Sequence, residues 1–453
     1  MNLLFIAWRN FRYRALSSFL TTVSLMLGVG LVVMVMAIYG IISEAFVRNA
    51  SVGYNLVVGP RGSALQLTLN SVYYLSQPIE NLPYTEYMEF FPAEERAAMV
   101  KQYGGDPALG ERDGVYAGYV AGGYAIPLAL GDYYDEFRVV GTTPDFFEKL
   151  RHGPDLDQKF ALADGRAFEE FTPENQYFES VFGSRVAAQM GISVGDTMNP
   201  THGNPDGKGH GQGFAVVGVM EPTGTPNDRA VFVNLEGFYL LEGHAKPLTG
   251  EEIIELPERA SDDMRPPLLM IPEREVTSIL VRNGEMMLAL GMQNRVNESG
   301  RAQAAAPIGE INKLMSAIVG PLLQALLVIT LITCVVAAFG VLVAIYNSMN
   351  ERRRDIAVMR ALGARRGSVT WIILFESLII ALVGGAAGWL LAHTVLLGFG
   401  NLIEQHTGVQ FGLFTVSPYE WLILPFVVAL SLFAGIVPAM AAYRTDVGSN
   451  LSA

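Results

Sequence analysis

Cysteine and charge are both scarce in this sequence. Cys334 is the single cysteine among 453 residues, and it lies inside a long apolar run. The large central part of the chain is therefore expected to fold without a disulfide. Charged residues make up only 17% of the chain, whereas apolar residues make up 51%. This composition argues against a purely soluble protein, so the placement of the apolar residues is informative.

The usual signatures of ATP hydrolysis and of proteolysis are also missing. The segment at 203–209, GNPDGKG, differs from a Walker motif because three residues, not four, separate its first two glycines and glycine follows the lysine. Neither a Ser-His-Asp arrangement nor an HExxH motif is evident. The chain is predicted not to be an enzyme and to hold no cofactor of its own.

Four apolar runs are long enough to span a membrane, which takes about 20 helical residues. They lie at 17–42, 318–346, 369–397 and 419–442. The first run follows a leader with three arginines and is longer than the apolar region of a signal peptide. It is predicted to be an uncleaved anchor.

Basic residues are unevenly distributed among the connecting segments. Three arginines precede the first run, six lie within 350–366, and 398–418 has neither lysine nor arginine. Residues 44–313 carry 21 basic and 38 acidic side chains, whereas the rest of the chain carries 10 and 6. Because short cytoplasmic loops are enriched in Lys and Arg, the leader and 350–366 are predicted to be cytoplasmic. Residues 46–310 then lie outside the cytoplasm.

Strand-like and helix-like segments alternate between the first two runs, for example in FRVVGTTPDFFEKL at 137–150. The predicted fold class is an α-helical membrane protein with four transmembrane helices plus a large α/β extracytoplasmic domain inserted between the first and second. Two stretches rich in Pro and Glu, 77–115 and 245–275, are predicted to be irregular insertions.

The second apolar run begins before the membrane. Between 310 and 349 nothing breaks a helix except Pro321, which a first turn or a kink can tolerate. These 40 helical residues reach ~60 Å, twice the hydrocarbon thickness. The excess is predicted to form a stalk. The complete division is a leader with the first transmembrane helix (1–45), the α/β domain (46–310), stalk and second helix (311–349), a cytoplasmic coupling helix (350–368), the third helix (369–397), an outer loop (398–418), and the fourth helix with a cytoplasmic C-terminus (419–453).

One loop has the spacing of metal ligands. THGNPDGKGHGQG, at 201–213, holds His202, Asp206 and His210, and His152 and His244 occur elsewhere in the same domain. Imidazole and carboxylate ligands suit zinc. The alternative is a solvated glycine-rich turn, in which histidine is freely tolerated. Both interpretations remain open at this point.

Glu376 is a carboxylate inside the third run, about five residues from its start. Intramembrane carboxylates are candidates for function. Anchoring at the cytoplasmic interface, or pairing with a nearby arginine, is favoured over a proton relay.

The arginine segment, NERRRDIAVMRALGARR at 350–366, combines six arginines with the apolar side chains of Ile356, Met359 and Leu362. Such a short amphipathic helix either lies on anionic lipid headgroups or inserts into a groove of a soluble partner. The pattern by itself does not decide between the two.

The region 347–392, NSMNERRRDIAVMRALGARRGSVTWIILFESLIIALVGGAAGWLLA, resembles the C-terminal permease signature of MacB/FtsX-type ABC transporter membrane subunits. The first run, the segments FRVVGTTPDFF and GSRVAAQMGISVGDTM, and the closing segment VPAMAAYRTDVGSNL also resemble that family.

The resemblance implies four membrane helices, a separate ATP-binding subunit that holds ATP and Mg²⁺, and a dimer of permeases, expected to be a homodimer. It implies that the arginine segment contacts the partner ATPase through a coupling region comprising Glu351, Arg352, Arg353, Arg354, Asp355, Ile356, Met359, Arg360, Leu362 and Gly363. A periplasmic adaptor or substrate-binding protein and membrane lipid are further expected partners, whereas nucleic acid is not. The location implied is a bacterial inner membrane, with the large domain in the periplasm.

The function expected from this resemblance is a mechanotransmitting permease that handles or exports a peptide, lipid or lipoprotein at the outer leaflet or in the periplasm. Two alternatives remain: an FtsX-like regulator of a periplasmic hydrolase, and a zinc-linked trafficking system suggested by the 202–210 loop.

Overall fold

The computed structural model describes residues 3–13, 15–49, 52–153, 155–203, 205, 207, 209–248, 266–285, 287–351, 353–407 and 418–443. The chain divides into two compact units. The membrane unit comprises Met1–Ala45 and Met315–Ala453, and the α/β domain comprises Phe46–Leu314.

Fifteen α-helices occur in the described part of the chain. They are α1 (Leu3–Tyr13), α2 (Ala15–Asn49), α3 (Ala64–Ser71), α4 (Tyr84–Met88), α5 (Ala93–Tyr103), α6 (Ala117–Val120), α7 (Asp145–Lys149), α8 (Ser184–Met190), α9 (Leu235–Tyr239), α10 (Leu288–Glu298), α11 (Pro307–Leu314), α12 (Gly320–Glu351), α13 (Arg353–Ala361), α14 (Arg366–Thr407) and α15 (Ile423–Tyr443).

Thirteen strands occur in the same described residues. They are β1 (Leu56–Pro60), β2 (Leu82–Pro83), β3 (Tyr124–Tyr134), β4 (Phe137–Thr142), β5 (Leu162–Gly165), β6 (Glu179–Phe182), β7 (Thr197–Met198), β8 (Thr201–His202), β9 (Phe214–Met220), β10 (Ala230–Asn234), β11 (Glu275–Val276), β12 (Ser278–Arg282) and β13 (Ala302–Ala305).

Four helical stretches have the length and apolar character to cross a membrane. They are Ala15–Gly40, Pro307–Glu351, Arg366–Gly400 and Glu420–Tyr443. The α/β domain lies between the first and second of them in the sequence, which confirms the predicted fold class. A short π-helical segment, Met315–Val319, joins α11 to α12, so the second stretch is helical over 45 residues.

Glycines allow α2 and α14 to approach closely. A Cβ atom added at Gly388 would lie 2.5 Å from the carbonyl oxygen of Met26 and 2.9 Å from the amide nitrogen of Gly30. A Cβ at Gly384 would lie 3.1 Å from the carbonyl oxygen of Thr22. Small residues at such contacts let membrane helices pack backbone to backbone. The glycine-rich stretch of the third apolar run therefore serves helix packing.

One mixed sheet forms the framework of the α/β domain. Its strand order is β13-β1-β12-β3-β4-β10-β6-β9-β5, with β7 paired to β9 and β8 paired to β3. The pairs β4–β10 and β6–β9 are parallel, whereas the other pairs in this sheet are antiparallel. β3 and β4 are buried along most of their length. The sheet therefore places β3, with its polar residue Asp132, inside the domain.

The stretch 77–115 corrects the prediction of an irregular insertion. It contains α4, α5 and a short 3-10 helix, Pro107–Gly110. Tyr84, Tyr87 and Met88 belong to one hydrophobic core of the domain together with strand residues of β1 and β12. The aromatic side chains of this stretch supply enough apolar surface to fold it onto the sheet. Of the other predicted insertion, 249–265 lies outside the described residues.

Candidate functional site

Four side chains converge inside the α/β domain: Asp132, His202, His210 and His244, together called the histidine cluster. One nitrogen or carboxylate oxygen of each lies within 4.8 Å of the corresponding atoms of the others. These are atoms of the types that bind transition metals.

Strand pairing positions the first two members. In β3, the pairing with β4 shifts register between Leu130 and Tyr133, which is an irregularity of the β-bulge type. Bulges redirect side chains. β8 pairs antiparallel to this part of β3, with Asp132 opposite His202 and Tyr133 opposite Thr201. The carboxylate and the imidazole are therefore neighbours across two strands.

Backbone contacts place His210 close to Asp132 and His202. Thr201 and Gly209 form an isolated antiparallel bridge, and the backbone N–H of His210 donates to the carbonyl of Pro200 over 3.0 Å. These two contacts hold His210 close to the strand that carries His202.

His244 reaches the cluster from another segment, which follows α9. Its backbone N–H donates to the carbonyl of Leu241 over 3.3 Å. Its ring packs edge-on against Phe238, with 4.3 Å between ring centroids. Phe238 belongs to the second hydrophobic core of the domain, so the imidazole is held against a packed aromatic side chain.

The distances within the cluster are short. Oδ2 of Asp132 lies 3.0 Å from Nε2 of His210 and 3.3 Å from Nε2 of His244. Oδ1 of Asp132 lies 3.3 Å from Nδ1 of His202. Nδ1 of His202 lies 3.2 Å from Nε2 of His244. Each member therefore touches at least one other through a potential ligand atom.

His202 and His244 are within hydrogen-bond distance of one another, but Asp132 is close to the imidazoles without bonding to them. Its side chain is fully buried, and among the described residues neither of its oxygens has a partner in hydrogen-bond geometry. The same holds for Nε2 of His210. A buried carboxylate without hydrogen bonds is costly, so the arrangement calls for a positively charged partner.

Burial lowers the pKa of His210 below its ordinary value. Asp132 opposes this shift, whereas His244 and His202 act in the same direction as burial. The neutral imidazole that results is the form with a free nitrogen lone pair.

The histidine cluster borders a cavity of about 580 Å³. Asp132, His202 and His244 line it together with Arg138 and Lys246. The His202 side chain is 59% exposed, whereas those of His210 and His244 are 6% and 4% exposed. The cluster is therefore accessible from the side of His202.

The predicted ligand set was His202, Asp206 and His210, and the structure brings the two histidines together. Asp206 lies outside the described residues. The carboxylate found in the cluster is Asp132, which sequence reasoning missed because strand pairing, not loop spacing, places it there. His244 was visible in the sequence as a histidine of the same domain, with nothing to indicate its position.

The arginine segment contains α13, but its apolar side chains do not all face outward. Ile356 is 6% exposed and packs in a core that includes Ile345 and Val369 of the membrane unit. Met359 packs against the same core. These two side chains therefore contribute to the packing of this chain's own helices, and their contact with a partner ATPase stays a prediction. Leu362, in contrast, is 84% exposed.

The end of α13 explains the exposure of Leu362. The N–H of Gly363 donates to the carbonyl of Arg360, and the N–H of Ala364 donates to that of Met359, each over 3.0 Å. Gly363 has a φ of +100°. This is a Schellman ending, in which glycine takes the left-handed position and the helix stops.

The exposure of the remaining coupling residues is described for only some of them. Glu351 and Arg354 are exposed, and Arg360 is half-buried. Arg352 and the side chains of Arg353 and Asp355 lie outside the described part of the chain.

Models of two known families match different parts of the chain. A model of the MacB-like periplasmic core domain matches residues 18–261, more than half of the chain. A model of the FtsX-like permease C-terminal region matches residues 327–447. The chain belongs to the MacB/FtsX family of ABC transporter permeases.

Curated relatives share parts of this permease. Macrolide export ATP-binding/permease protein MacB of Bordetella avium (strain 197N) is 33% identical over 126 residues, which cover 27% of this chain and 18% of that protein. Uncharacterized ABC transporter permease YknZ of Bacillus subtilis (strain 168) is 29% identical over 141 residues, covering 27% of this chain and 34% of that protein. MacB 1/2 of Paracoccus denitrificans (strain Pd 1222), also named a macrolide export protein, is 35% identical over 119 residues, covering 26% and 17%. The chain thus spans about a third or less of these relatives.

Glu376 of the permease lies in α14 and is 6% exposed. It lines a cavity of about 420 Å³ within the membrane unit, and Arg9, Asn10 and Tyr13 of α1 line the same cavity. Arg9 of the leader therefore lies in the same cavity as Glu376. This placement is compatible with the anchoring role expected for Glu376.

A second buried carboxylate of the permease was missed from the sequence because it stands at the very edge of an apolar run. Oε2 of Glu420 lies 3.0 Å from Nε2 of His393 and accepts a hydrogen bond from Nε1 of Trp389 over 2.8 Å. The His393 and Glu420 side chains are both 2% exposed. The polar contact joins α14 to the short 3-10 helix Pro418–Leu422.

Proposed function

We propose that this ABC transporter permease is a mechanotransmitting subunit. A separate ATPase would bind on the cytoplasmic side, and its nucleotide-driven closure would move the α/β domain on the periplasmic side of a bacterial inner membrane. The cargo would be a peptide, a lipid or a lipoprotein in the periplasm or outer leaflet. The family's dimeric arrangement favours two copies of this chain per complex.

The observation that carries the proposal is the helix from Pro307 to Glu351. Its 45 residues correspond to ~68 Å at 1.5 Å per residue, about twice the ~30 Å hydrocarbon core. The helical stretch begins at Pro307 in the sequence of the α/β domain, includes the π-helical segment Met315–Val319, and ends at Glu351 in the sequence of the membrane unit. Such a helix is a physical means of passing displacement between the two.

No Walker motif is evident in the sequence, which is compatible with ATP hydrolysis by a part of the system outside these residues. The exposed end of α13 is the surface suited to bind it. Leu362 offers a large apolar side chain there, and Val358 is 42% exposed, with the arginines around them. Apolar side chains on a short amphipathic helix can insert into a groove of a soluble partner.

The cargo proposal has support from the relatives in one respect. Two of them carry macrolide export in their names, and macrolides are amphiphilic like lipids and lipoproteins. We infer that an amphiphilic cargo fits this chain better than a small polar solute.

The test uses Leu362→Asp in the full chain, reconstituted in nanodiscs with its cognate ATPase. A charge at the docking surface should reduce ATPase binding and the permease-dependent stimulation of ATP hydrolysis at least about tenfold, which corresponds to ~1.4 kcal/mol. The fold should be unaffected because the side chain is exposed.

The matched control is Leu290→Asp in the α/β domain, where the side chain is 67% exposed. It should leave both quantities unchanged. If Leu362→Asp behaves like this control, the end of α13 is not the docking surface. If no ATPase binds the wild-type chain, the whole proposal fails.

A further inference from the structure

The geometry points to a transition-metal site in the α/β domain. We propose that Asp132, His202, His210 and His244 bind one Zn²⁺ ion, through Nδ1 of His202, Nε2 of His210, Nε2 of His244 and a carboxylate oxygen of Asp132. This inference is independent of the proposed coupling to an ATPase.

The ligand types select the class of ion. Three imidazoles with one carboxylate are typical of Zn²⁺ and related transition metals, whereas Ca²⁺ and Mg²⁺ prefer sets made of oxygen ligands. A set of four protein ligands also matches the tetrahedral coordination that Zn²⁺ prefers. The site should therefore discriminate strongly against Mg²⁺ and Ca²⁺.

The separations between ligand atoms fit a tetrahedral ion. With Zn–N and Zn–O bonds of about 2.0–2.1 Å, two ligand atoms of a tetrahedron lie roughly 3.3 Å apart. Four measured separations in the histidine cluster are 3.0, 3.2, 3.3 and 3.3 Å. One ligand atom from each of the four residues can be chosen so that all four lie within 4.8 Å of one another. Only small side-chain movements are needed to enclose an ion.

The unmet hydrogen bonds favour an ion over a simple histidine–carboxylate pair. In an ion pair, a protonated imidazole would donate directly to a carboxylate oxygen. Here Nε2 of His210 lies 3.0 Å from Oδ2 of Asp132, yet neither atom has a partner in hydrogen-bond geometry. Atoms that crowd together without bonding to one another are expected where they share a central cation.

Arg138 does not replace such a cation. Its guanidinium is buried against the ring of Tyr133, 4.2 Å from the ring centroid, and its Nη2 donates to the carbonyl of Ser76 over 2.8 Å. It contributes positive potential to the cavity wall, but the Asp132 oxygens still lack a hydrogen bond in the described residues.

An ion at this position would connect three separate segments. Asp132 is on β3, His202 and His210 lie between β7 and β9, and His244 follows α9. Because metal binding and ordering of the ligands are coupled, Zn²⁺ should stabilise the attachment of His210 and of the 243–248 segment to the sheet. The exposed ring of His202 and the neighbouring cavity supply the path of entry.

The experiment is isothermal titration calorimetry of the full-length chain in detergent, with ZnCl₂ as the probe and MgCl₂ as the comparison. We expect one Zn²⁺ per chain with a dissociation constant below about 1 µM, and no Mg²⁺ binding. Co²⁺ bound in place of Zn²⁺ should show the intense visible absorption of tetrahedral coordination.

The variants are His202→Ala and Asp132→Asn. The first changes an exposed side chain, and the second keeps the shape of a buried one, so each should fold. Loss of even an outer-shell partner costs 10–100-fold in metal affinity, and each variant should therefore weaken Zn²⁺ binding at least about 100-fold.

Two controls should bind Zn²⁺ like the wild type. Glu275→Gln removes a carboxylate that lines the same cavity, and His152→Gln removes an imidazole of the same domain whose Nε2 lies 3.1 Å from the carbonyl of Lys159. Absence of heat with wild-type protein, binding only at millimolar Zn²⁺, or unchanged affinity in both His202→Ala and Asp132→Asn would overturn the proposal. None of these results depends on an ATPase, so failure here and failure of the proposed function are distinguishable.

Discussion

Glu179 shows how single residues of the α/β domain hold buried charge. Its side chain is 1% exposed and accepts hydrogen bonds from Arg166 at 2.8 and 2.6 Å, from Thr172 at 2.9 Å and from Asn175 at 2.9 Å. Burial raises its pKa, but these bonds lower it by more, so the pKa lies below the ordinary value. Asp132 differs from Glu179 in having no such set of protein donors.

Acid should therefore destabilise the domain through Glu179. The pKa of Glu179 is lower in the folded state than in the unfolded chain. The contribution of its carboxylate to the free energy of unfolding is therefore fully present above the ordinary glutamate pKa of about 4.3. That contribution is lost as the pH falls through the lower folded-state pKa. Glu179→Gln should cost about 2 kcal/mol at neutral pH, the size of a hydrogen bond to a charged group. It should also reduce the acid sensitivity of unfolding.

Melting temperatures measured between about pH 3 and 7 test this, because the glutamate titration lies inside that range. Glu221→Gln, at an exposed side chain, is the matched control and should retain the wild-type dependence on pH. A Glu179→Gln protein that loses stability in acid as steeply as the wild type would contradict the assignment.

At the residue scale the sequence predicted only the two members of the histidine cluster that are close to one another along the chain. His202 and His210 are separated by a glycine-rich loop, and such spacing is visible in a linear chain. Asp132 and His244 join them through a strand pairing and through the packing of Phe238, neither of which leaves a periodic signal. Ile356 illustrates the opposite error: its helical spacing predicted an outward stripe, but neighbouring helices bury it.

The close packing of α14 against α2 requires glycine, which has no side chain, at the points of contact. Even a methyl group at Gly388 would lie 2.5 Å from a backbone oxygen, a separation that backbone atoms cannot relieve without moving the helix. The close contact therefore fixes the distance between the first and third membrane helices.

Gly388→Ala should destabilise the membrane unit by about 1–3 kcal/mol, the usual cost of overpacking. Gly398→Ala on the same helix should be nearly neutral, because nothing lies within 4 Å of a Cβ at that position. The measurement is thermal stability of the two purified variants in the same detergent. Equal melting temperatures for both would show that α2 and α14 do not pack as closely as described.

At the element scale the long apolar runs were easy to predict and the short elements were not. About 20 consecutive apolar residues admit few alternatives to a membrane helix. The two-residue strand β8 has no pattern of its own, since its partner β3 defines it. The helices α4 and α5 were missed because Pro and Glu were given more weight than the buried rings of Tyr84 and Tyr87.

In the whole molecule, residues 46–310 and the arginine segment 350–366 are predicted to lie on opposite sides of the membrane. Cysteines introduced at exposed positions report this, and Cys334 interferes little because it is fully buried. Leu290→Cys in the α/β domain should react with a membrane-impermeant maleimide in intact spheroplasts. Leu362→Cys should react only after the membrane is opened, since the arginines near it favour the cytoplasmic side.

The labelling is scored as the fraction of protein modified, and full modification of both variants after detergent treatment shows that both thiols are reactive. Strong labelling of Leu362→Cys in intact spheroplasts, with Leu290→Cys protected, would reverse the proposed orientation. Family membership and the four helices would remain, but the proposed direction of force transmission would not.

For the whole molecule, the sequence supplied the family and the order of its parts, because the signature around 347–392 is long and specific. It supplied nothing on which α/β segments meet in the sheet: β4 lies beside β10, and β3 beside β12, across long intervals of sequence. These pairings depend on how apolar side chains are buried across the entire domain. The sequence of a single segment does not carry that information.

The pairing of Asp132 with His202 across β3 and β8 also has a use in following the folding of this domain. Side chains alternate between the two faces of a strand, so a slip of one residue would turn the imidazole away from the carboxylate. A chain refolded with that error would have an ordinary circular dichroism spectrum but a ligand set divided between opposite faces. If the histidine cluster binds Zn²⁺ as proposed, the number of equivalents of Zn²⁺ taken up by a refolded sample would measure the fraction of molecules whose strands are correctly aligned.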